Sequence, residues 1–293
     1  MKNLLFLGGT SFFGKCAVEK LIVTNNFDLK LLTRGKNIPA EFQDHVNFIT
    51  CDRSDRKALM SALKNQYFDI VVDNIARNGL DVKNILELLQ GSVEHYLLCS
   101  TAAVYPQWHT SHVWLEPEAI NEPVPGQSPY VNGKRDAERQ LRNSHVPYTI
   151  YRPAVVEGPG DPMKRTKYFV DKIYHQQPFY IPDDVLLQHV YSQDVAATIV
   201  KLIALGATQV AYNICGDDQI SIQQYCDAIA EVLGKKPCYT LVARPQFIAS
   251  YAEGFPFLYD NSLLLSNSFL KEKTHFKPTS IAQWLLPTIR SMI

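Results

Sequence analysis

A short apolar run and a glycine-rich turn open the chain at residues 4–14, LLFLGGTSFFG. The apolar run is typical of a buried strand, and its glycines let the chain turn sharply into a helix predicted from about Gly14 to Val23. A helix that begins here presents free backbone N–H groups and a positive partial charge, which together hold a pyrophosphate. We therefore predict a dinucleotide site formed by Gly8, Gly9, Thr10, Ser11, Phe12, Phe13 and Gly14.

The turn departs in one position from the three-glycine fingerprint of dinucleotide sites. Ser11 stands where the middle glycine is usual, so the backbone approaches a pyrophosphate less closely there. A tight glycine turn without a ligand remains the alternative interpretation.

Apolar runs alternate with helical patterns over much of the chain. Strands are predicted at 4–7, 29–33, 46–49, 70–73, 96–100, 148–152, 186–190 and 209–214. Helices are predicted near 14–23, 56–65, 81–90, from about 130, and at 194–205 and 221–233. Runs that are apolar on both faces and separated by helices are typical of a doubly wound parallel sheet, so the predicted fold class is α/β and Rossmann-like. We assign residues 1–153 and 185–216 to this sheet domain, and 154–184 and 217–293 to a smaller α/β substrate lobe.

The composition excludes several classes of protein. Of the 293 residues 46% are hydrophobic, which argues against a disordered chain. The 29 Lys and Arg are balanced by 29 Asp and Glu, so the chain lacks the basic excess that is usual in nucleic-acid-binding proteins. No apolar run is long enough for a membrane helix. The six cysteines are scattered without a CxxC pair, which favours free thiols in the cytoplasm.

The second predicted strand ends on residues 33–36, TRGK, without the acid that NAD sites usually place there. The guanidinium of Arg34 suits a 2′-phosphate, so we predict NADP as cofactor, with NAD possible. A solvated basic turn is the alternative. Asp52 follows the third strand. It is predicted either to bind the adenine amino group or to cap the helix that begins near Arg56.

Tyr130 and Lys134 lie four residues apart in YVNGK, which places both side chains on one face of a helix. An ammonium group beside a phenol favours the phenolate, and such a tyrosine can exchange a proton with a carbonyl or hydroxyl oxygen. Residues 99–105, CSTAAVY, place hydroxyl groups at the carboxyl end of a strand, where open α/β sheets bind ligands. The alternative interpretation of Tyr130 and Lys134 is two surface side chains on a helix, and that of residues 99–105 is an ordinary turn at the end of a strand.

Taken together, these motifs resemble the extended short-chain dehydrogenase/reductase superfamily, the NAD-dependent epimerase/dehydratase family. Further matching segments are 152–154, 158–161, 189–196 and 212–214, so the resemblance covers nearly the whole chain. The Gly-Gly-Thr opening and the Thr-Arg-Gly turn are more similar to the divergent branch that includes chloroplast stem-loop RNA-binding proteins.

The resemblance implies a role for each matching residue. Thr101 would be the hydroxyl partner, with Ser100 a second candidate, Tyr130 the acid/base and Lys134 the lysine that binds the nicotinamide ribose. The cofactor residues implied outside the glycine turn are Arg34, Asp52, Arg53, Ile75, Ala76, Ser100, Tyr130, Lys134 and Pro153. Sugar dehydratases of this group carry an acidic pair where this chain has Ala102 and Ala103, which favours an epimerase or ketone reductase.

Other candidates are less informative. His109 and His112 lack further ligands, so no metal is predicted. Trp108 or Trp114 is expected to stack on a substrate from a covering loop. Lys164 and Arg165 could meet a substrate phosphate or belong to a solvated basic loop, and the aromatic run 255–259 is expected in the core.

The resulting hypothesis is an NAD(P)-dependent epimerase or ketone reductase that acts on a nucleotide-activated sugar or a similar small substrate. The alternative is a dinucleotide-sensing regulator or RNA-binding protein on the same fold. We expect no membrane and no nucleic acid as partners. A monomer is favoured, because Arg135, Arg139 and Arg142 are predicted to point outward from the helix that packs in the family's dimers.

Overall fold

A computed structural model describes residues 1–89, 93–106, 112–257 and 262–293. Its strands are β1 (Lys2–Leu7), β2 (Phe27–Thr33), β3 (Asn47–Thr50), β4 (Ile70–Asp73), β5 (His95–Cys99), β6 (Val113–Trp114), β7 (Tyr148–Pro153), β8 (Val155–Glu157), β9 (Phe179–Pro182), β10 (Leu186–Leu187), β11 (His189–Tyr191), β12 (Ala211–Ile214), β13 (Ile220–Ser221), β14 (Tyr239–Val242) and β15 (Leu264–Leu265). Its helices are α1 (Phe12–Thr24), α2 (Arg56–Leu63), α3 (Gly79–Leu88), α4 (Pro129–Arg142), α5 (Arg165–Tyr174), α6 (Ser192–Leu205), α7 (Ile222–Leu233), α8 (Arg244–Ser250), α9 (Ser268–Thr274) and α10 (Ile281–Arg290). Within these residues no helix is long and apolar enough to cross a membrane.

Seven strands form one parallel sheet in the order β12-β7-β5-β4-β1-β2-β3. The chain moves outward from β1 through β2 to β3, and then continues on the other side of β1 with β4 and β5. This reversal opens a crevice at the carboxyl ends of β1 and β4, where ligands bind in open α/β sheets. The predicted doubly wound sheet is confirmed.

The alternation of side chains along β1 shows why the sheet is covered on both faces. Leu4 and Phe6 belong to the core that includes α1 and α6, whereas Leu5 and Leu7 belong to the core that includes α2, α3 and α4. All four side chains have no exposed surface. Successive strand residues point to opposite faces, so a continuous apolar run fits only a sheet that is buried on both sides.

A third core lies in the smaller lobe and is rich in aromatic side chains. Phe169 of α5 packs against Tyr225 of α7 and against Phe255 and Phe257. This confirms the core assignment for Phe255 and Phe257, while 258 and 259 lie outside the described residues. The lobe assignments remain predictions.

The prediction of one strand at 186–190 is wrong. The structure has two short strands here, β10 antiparallel to β13 and β11 parallel to β8. Gln188 lies between them, and its side-chain amide donates to the carbonyl of Gly216 at 2.9 Å and accepts from the N–H of Leu265 at 2.7 Å. The apolar pattern alone does not reveal this break.

The outward orientation predicted for Arg135 is also wrong. Arg135 is 1% exposed, and its guanidinium donates to the carbonyl oxygen of Val104 at 3.1 and 3.3 Å. The helical pattern could not reveal a carbonyl acceptor from a turn 31 residues away. The argument for a monomer therefore loses one of its three arginines.

Candidate functional site

The glycine turn brings the backbone of the β1–α1 connection close to the start of α1. Gly8 has φ +85°, and a Cβ at Gly14 would lie 2.1 Å from the carbonyl oxygen of Gly8. Because the helix and the turn pack this closely, only glycine fits at position 14. Ser11 is the N-cap of α1 and makes no side-chain capping bond, so it leaves the N–H groups of the first turn to other acceptors.

A cleft of about 350 Å³ opens beside this turn, at the carboxyl ends of β1 to β4. It is lined by Gly8, Thr10, Ser11, Leu32, Thr33, Arg34, Lys36, Asn37, Cys51, Asp52, Arg53, Ser54, Ile75, Arg77 and Asp81. The predicted residues Gly9, Phe12, Phe13, Gly14 and Ala76 do not line the cleft, and neither do Ser100, Tyr130, Lys134 or Pro153.

Three of the cations that line the cleft are free to meet an anion. Among the described residues, the side chains of Arg34, Lys36 and Arg77 form no ion pair, although Asp52 and Asp81 line the same cleft. The cleft thus combines a glycine turn, free helix N–H groups and unpaired cations. This combination fits the phosphates of a dinucleotide.

Arg53 has a different role from the other cations. Its two terminal nitrogens bind the carboxylate of Asp73 at 2.7 and 2.9 Å, and Tyr96 donates to the same carboxylate at 2.8 Å. Asp73 also accepts from the N–H groups of Ile75 and Ala76 at 3.1 and 2.9 Å. The ion pair therefore holds the loop after β4, where it forms one wall of the cleft.

Burial alone would raise the pKa of Asp73, but Arg53, Tyr96 and the backbone N–H of Ile75 more than offset it and hold the pKa below its usual value. Sequence reasoning missed this carboxylate, because its partner Arg53 lies 20 residues away.

Asp52 lines the cleft, as expected of an adenine ligand, and it does not cap the following helix. Its carboxylate accepts from the N–H and hydroxyl of Ser54 at 2.9 and 2.7 Å. Asp55 caps α2 instead. The capping interpretation of Asp52 is therefore wrong, and the adenine contact remains a prediction. The bonds from Ser54 lower the pKa of Asp52, and Arg34 and Lys36 add to this effect.

The second part of the site lies at the carboxyl ends of β5 and β7. Lys134 is 5% exposed, and its Nζ donates to the carbonyl oxygen of Cys99 at 2.8 Å. The same Nζ lies 6.0 Å from the ring centre of Tyr130, which is 52% exposed. Pro153 is buried at the end of β7. The helix predicted from about Tyr130 is confirmed as α4, and it presents an accessible phenol beside a buried ammonium group.

The two hydroxyl candidates differ in accessibility. Ser100 is 2% exposed, whereas Thr101 is partly exposed and its Oγ1 accepts from the N–H of Ala103 at 3.3 Å. Thr101 is therefore the hydroxyl that a ligand can reach. Ala102 lines a second, smaller cavity of about 30 Å³ between the sheet and the lobe, together with Ala154 and His189.

A buried ion pair connects α4 to β7 behind these residues. Arg152 binds Glu138 through Nε at 2.8 Å and Nη2 at 2.6 Å, and Nη1 reaches the hydroxyl of Tyr105 at 3.0 Å. Burial would raise the pKa of Glu138, but Arg152 more than offsets it and lowers the pKa. Both side chains are 1% exposed, so the pair fixes the position of the helix that carries Tyr130 and Lys134.

Most of the remaining candidates contact other side chains of the protein or lie outside the described residues. His112 lies 2.9 Å from Glu118, Trp114 is buried against Tyr105, and Arg165 pairs with Asp161 at 3.3 Å. Trp108 and His109 lie outside the described residues. Within the described part, no group of three or more His, Cys, Asp or Glu side chains is arranged to hold a metal ion.

The fold and the site define a class of protein. A model of the NAD(P)H-binding family matches residues 8–205, and the chain belongs to this family. The crevice described above lies within the matched range. The NAD(P)-binding family and the Rossmann-like fold that the sequence resemblance implies are confirmed.

The chain is similar to three particular proteins. A putative epimerase from Burkholderia cenocepacia J2315 is 21% identical with a TM-score of 0.80, over 99% of this chain and 98% of that one. dTDP-glucose 4,6-dehydratase from Bacillus anthracis, solved with NAD, is 17% identical with a TM-score of 0.79, over 100% and 96% of the chains. The chloroplast stem-loop binding protein of 41 kDa b from Arabidopsis thaliana is 26% identical over 250 residues, 80% of this chain. The match spans 64% of that protein's own length.

Proposed function

We propose that the protein is an NAD(P)-dependent epimerase or ketone reductase in which Tyr130 exchanges a proton with a substrate oxygen. The observation that carries the proposal is the joint placement of Tyr130, Lys134 and Thr101 at the sheet edge that also forms the cleft. Lys134 is fixed by Cys99, and Tyr130 stays accessible beside it.

The cofactor would lie along this edge, with its pyrophosphate at the turn of Gly8 and Ser11 and its adenosine half in the 350 Å³ cleft. When bound, the nicotinamide supplies hydride transfer to or from a substrate carbon. Lys134 would bind the nicotinamide ribose, and Thr101 would orient the substrate oxygen towards Tyr130. Arg34 would bind a 2′-phosphate, which supports NADP over NAD.

The residues beside the hydroxyl support the choice of reaction. Ala102 lines the small cavity and carries no acid, so this position cannot abstract a proton for water loss. A nucleotide-activated sugar is the substrate class that the similar dTDP-glucose dehydratase suggests. This substrate rests on similarity of fold, whereas the proton-transfer role rests on the placement of the residues.

Native mass spectrometry of the purified protein tests the cofactor, because it identifies the nucleotide that copurifies. Copurification of NADP(H) or NAD(H) supports the proposal, and calorimetry that finds neither bound by the nucleotide-free protein contradicts it.

The name of the chloroplast stem-loop binding protein gives a second candidate, RNA binding. Salt-sensitive retention of a stem-loop RNA, without turnover of any carbonyl compound, would favour it. The balance of 29 basic and 29 acidic residues counts against it.

A further inference from the structure

Arg77 lies where the two parts of the candidate site meet. It lines the cleft of about 350 Å³, and a Cβ at Gly133 of α4 would lie 2.2 Å from its backbone carbonyl oxygen. Gly133 stands between Tyr130 and Lys134 in the sequence, directly before the lysine that would bind the nicotinamide ribose. Arg77 therefore touches the helix that serves the nicotinamide half of a dinucleotide and borders the cleft that serves the adenosine half.

The backbone of the loop that carries Arg77 is held on both sides. The N–H of Arg77 donates to Asp81 Oδ2 at 2.7 Å, and the N–H of Ile75 donates to Asp73 at 3.1 Å. On the side of the glycine turn, a Cβ at Gly8 would lie 2.4 Å from Cγ2 of Ile75. The side chain of Arg77 thus extends from a backbone of fixed position, which lowers the entropic cost of binding a ligand there.

The guanidinium of Arg77 is free to meet an anionic ligand. In the part of the chain that the structure describes, the Arg77 side chain forms neither an ion pair nor a hydrogen bond, and the residue is exposed. Asp81 accepts from the backbone N–H of Arg77, and its other oxygen lies 3.8 Å from Nε of Arg53. Asp52 accepts from the N–H and hydroxyl of Ser54. Both carboxylates that line the cleft therefore have partners other than this guanidinium.

The glycine turn offers a pyrophosphate N–H groups but no basic side chain. Residues 8–14 contain neither Lys nor Arg, and the next cation in the sequence, Lys15, pairs with Glu19 and, at 2.7 Å, with Glu41. The N-terminus of a helix carries only about half an elementary charge. A pyrophosphate at this turn is therefore stabilised further by a cation that another segment supplies.

The free cations of the cleft lie on opposite sides of the glycine turn. Arg34 and Lys36 follow β2, whereas Arg77 follows β4. β1, which leads into the turn, lies between these two strands in the sheet. Arg34 is assigned to a 2′-phosphate on the adenosine half. Arg77, which also touches α4, is placed for the pyrophosphate that joins the two halves of the cofactor.

We propose that Arg77 binds the cofactor pyrophosphate opposite the N-terminus of α1. The two arginines then have separate tasks, because Arg34 contacts a group that only NADP carries and Arg77 contacts a group that NAD and NADP share. This inference rests on the proposed function, since it takes the cleft as the cofactor site.

Calorimetry of the nucleotide-free protein with two fragments of the cofactor tests the proposal. ADP-ribose contains the pyrophosphate and lacks the 2′-phosphate, whereas adenosine 2′-monophosphate contains the 2′-phosphate and lacks the pyrophosphate. Arg77→Ala should weaken the binding of ADP-ribose about 10- to 150-fold, because a hydrogen bond to a charged group is lost. Its affinity for adenosine 2′-monophosphate should stay nearly unchanged. Arg34→Ala is the matched comparison and should show the reverse pattern.

Unchanged affinity of Arg77→Ala for ADP-ribose, or an equal loss of affinity for both fragments, would overturn the proposal. Retained binding of adenosine 2′-monophosphate reports that the cleft of the variant is folded. Arg77→Lys keeps the positive charge, so its affinity for ADP-ribose should lie between those of the native protein and Arg77→Ala. Equality with Arg77→Ala would contradict the phosphate contact.

The native protein separates this proposal from the proposed function. Native protein that binds neither ADP-ribose nor NADP(H) would contradict the proposed function itself. Native protein that binds both, together with an Arg77→Ala variant that binds ADP-ribose equally well, would contradict only the role of Arg77. The two failures are thus distinguishable.

Discussion

Lys134 Nζ and the carbonyl oxygen of Cys99 lie 2.8 Å apart, and this bond ties α4 to the carboxyl end of β5. The two residues are 35 positions apart in the sequence. The bond sets the position of the ammonium group relative to Tyr130, one helical turn earlier, and to Thr101, two residues after Cys99.

Lys134→Met should reduce both cofactor affinity and turnover. The substitution removes a predicted ribose contact and the positive charge beside the phenol, and it leaves the Cys99 carbonyl without its donor. Calorimetry with NADP(H) and steady-state kinetics on the same preparation measure the two effects. Lys83→Met, at an exposed lysine of α3, is the control and should change neither. A loss of rate with unchanged affinity would contradict the ribose contact.

Arg34→Ala should weaken NADP(H) binding about 10- to 150-fold, because a hydrogen bond to a charged group is lost. NAD(H) lacks the 2′-phosphate, so its affinity should stay nearly unchanged. Arg56→Ala is the matched control, since Arg56 pairs with Glu87 and does not line the cleft. Native protein that binds NAD(H) more tightly than NADP(H) would overturn the cofactor assignment.

Gly14→Ala should abolish high-affinity cofactor binding and lower the melting temperature. The added Cβ would lie 2.1 Å from the carbonyl oxygen of Gly8, so the turn must move away from its present shape. In Gly234→Ala the new Cβ meets nothing within 4 Å, although φ is +61°. This control should lose about 1–2 kcal/mol of stability and no cofactor affinity. Equal cofactor affinity in both variants would refute the role of the turn.

The sequence predicts the large sheet well, because its strands are continuous apolar runs. β4, for example, reads IVVD and is buried along its whole length. The short strand pairs that join residues 185–216 to the small lobe are predicted poorly. The pairs β10–β13 and β11–β8 have only two or three residues per strand, too few to show a period.

The residues of the site also fall into two groups, those that the sequence identifies and those that it does not. The glycine turn, Arg34 and the Tyr130–Lys134 spacing are local patterns and can be identified from the sequence. The buried pairs of Arg53 with Asp73 and Arg152 with Glu138 join residues 20 and 14 positions apart, and neither sequence segment indicates its partner.

Acid should destabilise the protein through Asp73 and Glu138. Both carboxyls have a lowered folded-state pKa beside Arg53 and Arg152. Their contribution to the free energy of unfolding is complete above the unfolded-state values of about 4 and is lost as the pH falls through the folded-state values. Urea denaturation at a series of pH values between about 6 and 2 measures this loss. The double variant Arg53→Gln/Asp73→Asn should show a shallower dependence on pH, and a slope equal to that of the native protein would disprove the contribution of the pair.

Arg53→Met alone should be more damaging than that double variant. It leaves Asp73 buried at 0% exposure without its cation, and breaking a buried pair in this way costs about 3–5 kcal/mol. The loop of Ile75 and Ala76 should also loosen, because Asp73 holds both N–H groups. Hydrogen exchange at these two amides reports the change directly, and unchanged protection would rule out this role for Asp73.

The most direct test of the account is the turnover of Tyr130→Phe, measured with reduced and oxidised cofactor on whichever nucleotide sugar or simple ketone the native protein converts. The ring and the helix remain in this variant, so the fold and the cofactor affinity should be preserved. The loss of a positioned acid/base should lower turnover by about 10²–10⁴-fold. Thr101→Val should also slow the reaction, and Thr101→Ser should retain most of it. Turnover of Tyr130→Phe at the native rate would contradict the catalytic assignment.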